Sequence, residues 1–439
     1  MVTWYPPGML ARSRPVASLQ LRGIVAIVGS LAAAVGCSSK PAEAPKPELS
    51  VEETLAKFMR REHGPFEKHS LQLAGLGTAS AEAKTPPKVE CAKKGNERHC
   101  QVVLDMGPDE DGDPAAINCA VTTQLGPFGL AVHHGVGASQ LAETPQLTVE
   151  KIGQGVAATF VVNMVAETET TVNIGTLKLA RLYAQGHMAE CRDSMAGGRE
   201  TFHRVVNDFF ASLKLEENRA EPFRFGIAYR MRKGKKTLGL RYIYLIENTE
   251  DPGFVEYGVF FHLAADEKNW QTLDIAHAVV RDDKGELTRY GVLHWPHGQG
   301  PLSLVAKPTE AGKFRVKRVL GTSSDAIELT PKAGLSTELW SAPELRRLAT
   351  GELESYSYGF PALDGDRDPS FAYSMFSPSG PGVVDEKAVP HAKMKDGADE
   401  GESHELHVDE RGIVTKQVDA TLLTELIVSS GALPELLSR

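Results

Sequence analysis

Long apolar runs are scarce in this sequence. A membrane-spanning helix needs about 20 apolar residues, and the run at residues 23–35 is shorter, so it does not predict such a helix. It follows Arg12, Arg14 and Arg22 and is followed closely by Gly36 and Cys37. This order of positive charge, short apolar core and small residues is typical of a removable export signal.

Basic residues are in the minority. The chain has 48 lysines and arginines against 57 aspartates and glutamates, which gives a formal net charge of −9. The segment before Cys37 carries arginines and no acidic residue, so its removal makes the chain more acidic. Proteins that bind nucleic acid concentrate positive charge against the phosphates, and we therefore expect no nucleic-acid partner.

Catalytic and cofactor-binding motifs are also missing. A serine nucleophile on a strained turn needs glycine on both sides, but residues 321–325 lack the second glycine and Ser139 lacks the pattern. Residues 135–137 lack the third glycine and the following helix of a phosphate-binding loop. We therefore predict no catalytic residue, no cofactor and a protein that is not an enzyme.

Two acidic segments, residues 109–113 and 364–368, begin like a calcium-binding loop. An EF-hand loop needs glycine at its sixth position and glutamate at its twelfth. Both segments have proline at the sixth position, and the twelfth is Ala120 in one and Met375 in the other. Polar turns are therefore the favoured interpretation of both segments.

Histidine pairs give no better case for a metal site. His294 and His297 are separated by a proline that prevents their presentation on one helix, and no third ligand accompanies them. His133 and His134 are adjacent, so on a strand they point to opposite faces. We predict no metal site.

Four cysteines follow the export signal: Cys91, Cys100, Cys119 and Cys191. An even number in an exported chain predicts two disulfides, and four cysteines allow three pairings. The turn-forming residues 93–97 favour a Cys91–Cys100 bond, which leaves Cys119 with Cys191. A zinc site that includes His99 is the alternative, but the sequence has no C-x-x-C spacing.

Residues 31–37, Leu-Ala-Ala-Ala-Val-Gly-Cys, resemble the lipobox of bacterial lipoproteins, in which the cysteine is acylated and becomes the new N-terminus. The resemblance implies that Cys37 carries acyl chains such as palmitate and anchors the protein in the bacterial cell envelope. Ser38 after the cysteine favours the outer membrane. A soluble secreted protein that is cut nearby is the alternative, and Met1 and Met9 both stay open as the start.

The residues after Cys37 predict a flexible tether. Residues 38–50 contain Pro41, Pro45 and Pro47 and almost nothing apolar, so they cannot form a packed core. A proline-rich chain extends by about 3.1 Å per residue, which gives a reach of about 40 Å. We therefore divide the chain into a lipoprotein signal peptide (1–36), a tether (37–49) and two domains (50–217 and 222–439), with a polar linker at residues 216–222.

The first domain is predicted to mix helices and strands. Ser50 and Glu53 form a capping box for a helix that ends before Pro65. An apolar stripe at helical spacing predicts a closing helix over residues 199–215, which covers a sheet. Strands are predicted between the two helices, at residues 101–106, 118–124, 129–134, 157–167, 176–185 and 187–193.

The end of this domain carries a family resemblance. A strand run that ends at Cys191, followed by Gly-Gly-Arg-Glu-Thr-Phe (197–202) and an amphipathic helix, resembles the C-terminal part of PsbP-like α/β/α sandwiches of bacterial envelope proteins. The resemblance implies a non-catalytic scaffold or interaction domain. It assigns no functional residue.

The second domain is predicted to be an antiparallel meander that ends in helices. Alternating residues predict strands at 223–232, 238–247 and 255–264, and hairpin turns are predicted at 282–285, 309–312 and 409–412. Ser341 and Glu344 form a second capping box, residues 421–428 are predicted to be the last helix, and residues 377–389 and 396–402 are predicted to be loops. The predicted fold class is α+β: an α/β sandwich-like first domain, then a mainly antiparallel β domain with C-terminal helices.

One functional hypothesis comes from aromatic residues in these strands. They are candidates to line a concave apolar surface, although an ordinary core is the favoured interpretation: Tyr229, Tyr242, Tyr244, Tyr257, Phe260 and Phe261. The hairpin at residues 404–418, which follows a helix and irregular strands, resembles the closing part of LolA/LolB-type half-barrels. This resemblance implies a lipid carrier.

Taken together, the sequence predicts a lipid-anchored envelope protein that acts as a non-enzymatic scaffold or binding module. Its expected partners are the membrane, through Cys37, and an envelope protein. A carrier of a lipid or another apolar ligand is the first alternative, and an envelope hydrolase or metal enzyme is the second. A large apolar cavity inside the second domain would favour the carrier, and a filled interior would disfavour it.

Overall fold

The structure is a computed structural model that describes residues 64–438. The following positions within that range are not described: 95–96, 109–113, 124, 127, 129–131, 133–139, 142–143, 168–171, 194–196, 218–221, 249–250, 266–269, 298, 310–311, 322, 364–367, 385–386, 397–402 and 420–421. Cys37, the tether, the helix at Ser50, the histidine pair at 133–134 and the whole acidic segment 109–113 therefore lie outside the described residues. No helix in the described part is long and apolar enough to cross a membrane.

Three antiparallel sheets make up most of the described chain. Sheet A contains β1 (Glu67–Leu73), β2 (Gly77–Ala83) and β11 (Lys214–Leu215). Sheet B contains β3 (Lys88–Lys94), β4 (Glu97–Pro108), β5 (Pro114–Thr122), β6 (Gln140–Leu141), β7 (Gln146–Ile152), β8 (Gly155–Glu167), β9 (Val172–Ala184) and β10 (His187–Asp193), in the order β3-β4-β5-β10-β9-β8-β6 with β7 also on β8.

Sheet C has fourteen strands in the described chain. They are β12 (Phe223–Lys233), β13 (Lys236–Glu247), β14 (Gly253–Ala265), β15 (Trp270–Asp282), β16 (Leu287–Pro296), β17 (Leu302–Pro308), β18 (Phe314–Leu320), β19 (Ser323–Leu329), β20 (Tyr356–Leu363), β21 (Pro369–Val384), β22 (Lys387–Asp396), β23 (Ser403–Val408), β24 (Val414–Val418) and β25 (Leu423–Gly431). β12 pairs with β25, so the order runs from β19 back to β12 and then from β25 back to β20. Three helices complete the described part: α1 (Arg199–Ser212), α2 (Ala342–Ala349) and α3 (Glu435–Ser438).

Helix α1 and sheet A cover one face of sheet B. The helix buries Phe202, Val205 and Phe209 against a core that also contains the Cys119–Cys191 disulfide and Cys100. Cys91 pairs with Cys100, and Cys119 with Cys191, each across two neighbouring strands, so the predicted pairing is confirmed. The closing helix was predicted three residues too long, because Lys214–Leu215 leaves it to pair with β2.

The other face of sheet B packs on sheet C. Four tyrosines stack in a row across this interface: Tyr183 on β9 lies 5.6 Å from Tyr242, which lies 5.8 Å from Tyr244, which lies 5.2 Å from Tyr257 (ring centroids). They belong to one apolar cluster with residues of both sheets, such as Phe160 and Phe261. The two sheets therefore share one core, and we call the face of sheet C that contributes to it the outer face.

Sheet C curls so that β20 and β21, at one end of its strand order, lie against β16, β17 and β18, near the other end. Phe360 on β20 and Phe371 on β21 pack against a cluster built from Tyr290, Leu304 and Val316 on β16, β17 and β18. The rings of Phe314 and Phe371 are 6.0 Å apart. We call the enclosed face of sheet C the inner face.

The predicted fold class is wrong. The described chain is predominantly antiparallel β-sheet with three short helices, and its first half is not an α/β sandwich. The face of sheet B that an α/β/α sandwich would cover with helices is covered by sheet C instead. Apolar residues occupy both faces of β8, with Val156 and Phe160 towards sheet C and Ala157 towards α1, and this two-sided burial needs a layer on each side.

Two segments near the C-terminus also differ from prediction. Residues 421–428 do not form a helix, because Leu423–Gly431 is β25 and closes the gap between β12 and β24. Residues 377–389 are not a loop, because they belong largely to β21 and β22, which pair with a bulge near Pro378. The predicted domain boundaries stay predictions.

Candidate functional site

The inner face of sheet C carries polar side chains that are largely removed from water. Side chains alternate along a strand, so Arg241 on β13, Glu256 on β14, His277 on β15 and Tyr290 on β16 all point inward. Glu256 and Tyr290 are buried, and His277 is half-buried. A set of buried polar groups inside a curved sheet is the strongest candidate site in the described chain.

Residues 335–349, which we call the plug, lie against this face. They lead from the end of β19 into α2 and bring Leu339, Leu345 and Leu348 into a buried cluster with Ile243 and Leu245 of β13. Gly412, in the β23–β24 turn, lies directly on the backbone of Ala342 at the start of α2 and has a φ of 82°. Any side chain at Gly412 would push the plug away.

Glu256 is the centre of the first polar group. Its side chain has no exposed surface, and its carboxylate accepts hydrogen bonds from His277 Nε2 at 2.7 Å and from Thr337 Oγ1 of the plug at 2.6 Å. His277 lies against the backbone of Gly258, where a Cβ would overlap the imidazole ring. Gly258 is therefore needed to leave room for the histidine.

Glu338 is the centre of the second polar group. It belongs to the plug and accepts a hydrogen bond from the Tyr229 hydroxyl at 2.9 Å and from Arg241 Nη1 at 2.7 Å. The guanidinium of Arg241 also lies 5.7 Å from the centre of the Tyr229 ring. These contacts join the plug to β12 and β13 through charge-assisted bonds.

A third group surrounds Ser341. Its hydroxyl lies 3.2 Å from Ser336 Oγ and 3.0 Å from the hydroxyl of Tyr356 on β20. Arg281 of β15 donates to the carbonyl of Leu335 at 3.2 Å, and its guanidinium lies 4.7 Å from the centre of the Trp340 ring. Ser341 makes no side-chain hydrogen bond to the first turn of α2, so its predicted role in a capping box is wrong.

Burial fixes the protonation of the tyrosines in this interior. Burial raises the pKa of Tyr229, Tyr290 and Tyr358, and the negative charge of Glu338 raises the pKa of Tyr229 and Tyr358 further. Burial lowers the pKa of Arg241, but Glu338, Tyr229 and Tyr358 together outweigh burial and the pKa is raised. The tyrosines therefore act as neutral hydrogen-bond donors and Arg241 as a permanent cation at physiological pH.

The arrangement of the described residues is suited to holding the plug. Nucleophilic catalysis needs a hydroxyl or thiol hydrogen-bonded to the histidine. Among the described residues, His277 bonds to Glu256, and the plug hydroxyl of Thr337 donates to the same carboxylate. The described residues also contain no group of three or more histidine, cysteine, aspartate or glutamate side chains placed to hold a metal.

One open groove lies elsewhere on sheet C. It has a volume of about 400 Å³ and is lined by residues of the β13–β14 connection and of the C-terminal segment, among them Asn248, Phe254, Pro434 and Leu436. Glu247, at its rim, is paired with Arg224. The groove is shallow and open to solvent and contains none of the polar groups of the interior.

His294 and His297, which the sequence analysis considered as metal ligands, lie in different surroundings. His294 lies on the inner face of β16, whereas the ring of His297 packs on Trp270 at 4.6 Å and lies 3.4 Å from Thr272 Oγ1. Burial lowers the pKa of His297. Of the acidic segment 364–368, only Asp368 is described, and it lies 3.5 Å from Arg318.

The hypothesis of a concave apolar surface required the aromatic residues to share one face of the sheet, and they do not. Tyr242, Tyr244, Tyr257 and Phe261 are on the outer face, where sheet B covers them. Tyr229 is on the inner face in contact with the plug. Their alternation along the strands divides them between two faces, and both faces are core.

Sequence reasoning missed Glu256 and Glu338. A glutamate between apolar residues on β14, where every neighbour predicts burial, is a recognisable signal of a buried hydrogen-bonded carboxylate. Glu338 carries no such signal, because the plug has neither strand nor helix periodicity before α2. Its role depends on contacts with strands about one hundred residues earlier in the chain, as its separation of 109 residues from Tyr229 shows.

Comparison with known proteins adds little. No protein-family model and no curated protein matches the sequence. One solved structure that this chain is similar to is described as a beta-barrel-like protein of a domain of unknown function, DUF1849, from Brucella abortus. It is 14% identical, has a TM-score of 0.36 and covers 47% of this chain and 97% of its own. A similarity of this size leaves the function to be argued from the residues of this chain.

Proposed function

We propose that this protein is a lipid-anchored, non-enzymatic binding module of the bacterial cell envelope, held by an acylated Cys37. The single observation that carries the proposal is that the plug packs against the inner face of sheet C, where a carried ligand would have to lie. A carrier of an apolar ligand needs an enclosed apolar space of several hundred Å³. The plug occupies the corresponding space with its own leucines and with bonds to Glu256 and Arg241.

The remaining surfaces support a binding role. The shared tyrosine core joins sheets B and C, so the described chain presents large outer surfaces on one body. The tether would hold this body within about 40 Å of the membrane. Partners would therefore meet the solvent-exposed surfaces of the sheets and would not enter the interior of sheet C.

Native mass spectrometry of the protein purified from envelopes tests the module against the carrier. A binding module gives a mass that equals the acylated polypeptide with two disulfides. A stoichiometric lipid in addition to the covalent acyl chains would contradict the proposal and favour the carrier. Reduction should add four hydrogens, because two disulfides open.

The anchor is tested separately with Cys37→Ala. More than one acyl chain makes anchoring effectively stable against high salt, because each buried methylene adds about 0.8 kcal/mol. We expect the unaltered protein to stay in the membrane fraction after a high-salt wash, and the Cys37→Ala protein to be released by that wash. Retention of the variant after the wash would refute the anchor.

A further inference from the structure

The outer face of sheet C is not covered along its whole width. The apolar core shared with sheet B reaches Leu293 on β16, and none of the described residues of β17, β18 or β19 belongs to it. On these strands the residues whose side chains point outward are half-buried or exposed. This end of the sheet is a free surface of the described structure.

Three basic residues lie on this surface, near the turn that joins β17 and β18. Lys307 on β17 lies directly opposite Arg315 on β18, and Lys317 follows two residues later on the same face, opposite Val305. All three basic residues are exposed. We call Lys307, Arg315 and Lys317 the basic face. Arg289 on β16 points to the same side of the sheet, since it is opposite Val280.

The basic side chains are not neutralised within the described structure. None of the three forms an ion pair with a described residue, whereas Arg318, which points to the other face, lies 2.7 Å from Asp325 and 3.5 Å from Asp368. Like charges directly opposite on antiparallel strands destabilise a sheet. The chain has a net charge of −9 and therefore many acidic residues that could neutralise such a pair. Glu328 on β19 is opposite Arg315, in the same cross-strand row as Lys307, but it makes no ion pair with Arg315.

Small apolar side chains lie next to the charges. Val305 and Val319 are half-buried on the same face, next to Lys317 and close to Arg315. Exposed lysine and arginine around a few half-buried aliphatic side chains is an arrangement that suits a boundary between lipid headgroups and water. A nucleic-acid ligand would require a larger excess of positive charge than these three residues provide.

We propose that the basic face docks on anionic phospholipid headgroups of the membrane to which the chain is tethered. This inference rests on the proposed anchoring, which would keep the basic face close to the bilayer. Two attachments then act together: the acyl chains retain the protein, and the basic face orients the curved sheet against the surface. The surfaces of the molecule away from the basic face are left free for an envelope partner.

The test measures binding to lipid vesicles without the acyl anchor. The chain from Ser38 to Arg439, which contains every described residue, is sedimented with vesicles of phosphatidylglycerol and phosphatidylcholine or of phosphatidylcholine alone. Each basic residue near an anionic bilayer contributes about fivefold to partitioning, so Lys307→Gln, Arg315→Gln and Lys317→Gln together should weaken binding about one hundredfold. Binding of the unaltered chain should be confined to the anionic vesicles and should weaken as salt is raised.

A matched control separates the basic face from net charge. Lys233→Gln, Lys235→Gln and Lys236→Gln remove the same charge from the exposed β12–β13 turn and should change binding less than threefold. Equal weakening by the two triple variants would overturn the proposal. Equal binding of the unaltered chain to neutral and anionic vesicles would also overturn the proposal. So would a basic-face triple variant that loses binding to a soluble polyanion such as polyglutamate but binds vesicles as the unaltered chain does.

A single substitution keeps the test decisive if the triple variant does not fold. Glu328→Gln removes the one acidic residue of the row at an exposed edge and should strengthen vesicle binding about fivefold. Unchanged binding of a folded Glu328→Gln protein would contradict the docking surface. Failure of the anchor would appear differently, as salt-resistant membrane retention of the Cys37→Ala protein.

Discussion

The hydroxyl of Thr337 gives the sharpest test of how the plug is held. It donates at 2.6 Å to the fully buried carboxylate of Glu256 and also lies 3.3 Å from the backbone nitrogen of Trp340. Thr337→Val removes this hydroxyl and keeps nearly the same volume. The carboxylate then retains His277 as a donor but loses one of its two described side-chain hydrogen bonds.

The expected cost follows from the burial of the acceptor. A hydrogen bond to a charged group contributes about 1.5–3 kcal/mol to stability, and a buried polar atom that loses its partner costs about 1–3 kcal/mol. Because water cannot reach Glu256 to replace the bond, we expect Thr337→Val to lower the free energy of unfolding by about 2 kcal/mol. The volume change is too small to add a cavity term of similar size.

Urea unfolding followed by tryptophan fluorescence measures this change, since Trp340 lies in the plug. Thr288→Val is the matched control, because the Thr288 hydroxyl bonds to the Val280 carbonyl at 3.1 Å in an exposed position. The control should cost less than about 0.5 kcal/mol. If Thr337→Val and Thr288→Val shift the unfolding midpoint equally, the plug is not held by the Glu256 group and the reasoning about the interior is refuted.

Three further predictions concern the sheets around this interior. Lys178 is fully buried and lies 3.0 Å from Asp193, so Asp193→Asn leaves a buried charge without its partner and should destabilise the protein by about 3 kcal/mol in urea unfolding. Lys178→Met removes the buried charge itself and should lower the free energy of unfolding by clearly less. The reverse order of the two variants would contradict this prediction. Replacing Cys119 and Cys191 by serine opens a loop of 72 residues and should lower the free energy of unfolding by about 4 kcal/mol. The comparison is made with the unaltered protein under oxidising conditions. A loss below about 1 kcal/mol would show that the bond is dispensable. Burial raises the pKa of Tyr183 to about 12, above its ordinary value of 10, so the unfolded state loses this proton first. The contribution of this group to stability should be constant below pH 10 and should fall between pH 10 and 12, as followed by phenolate absorbance and circular dichroism. Titration of all tyrosines near pH 10 without unfolding would contradict this prediction.

Local patterns were sufficient for the hairpins and the disulfides. Strict alternation predicted β12, β13 and β14 within a few residues of their ends, and the turn at residues 409–412 was predicted from its sequence. The turn-forming residues between Cys91 and Cys100 predicted the first bond, which left Cys119 with Cys191, and each pair lies on neighbouring antiparallel strands. These features depend on residues close together in sequence or on a small number of pairings.

The wrong predictions share a different cause. Leu423–Gly431 has apolar spacing that is compatible with a helix, and it became β25 because β12 offered a free edge and two arginines, Arg230 and Arg232, for Glu425. β21 contains prolines and glycines that argue against a strand, yet pairing on both sides holds it in the sheet. In both segments the partner strands outweighed local preference.

The candidate site was hidden for the same reason. Glu256, on a strand, and Glu338, in an aperiodic segment, acquire a role only when the sheet curls and the plug enters it. The aromatic strands were recognisable as buried, but the sequence could not show that two separate layers, sheet B outside and the plug inside, would bury their two faces.

The amino-acid sequence alone determined where the strands alternate, that Cys91 pairs with Cys100 and which residues resemble an export and acylation signal, because each of these is encoded in short-range order. The tertiary structure decided the layering of sheets B and C, the filling of the interior and the exposed basic face. These depend on which surfaces meet across long separations in the chain, and a period of two along a strand specifies that a face is buried without specifying what buries it.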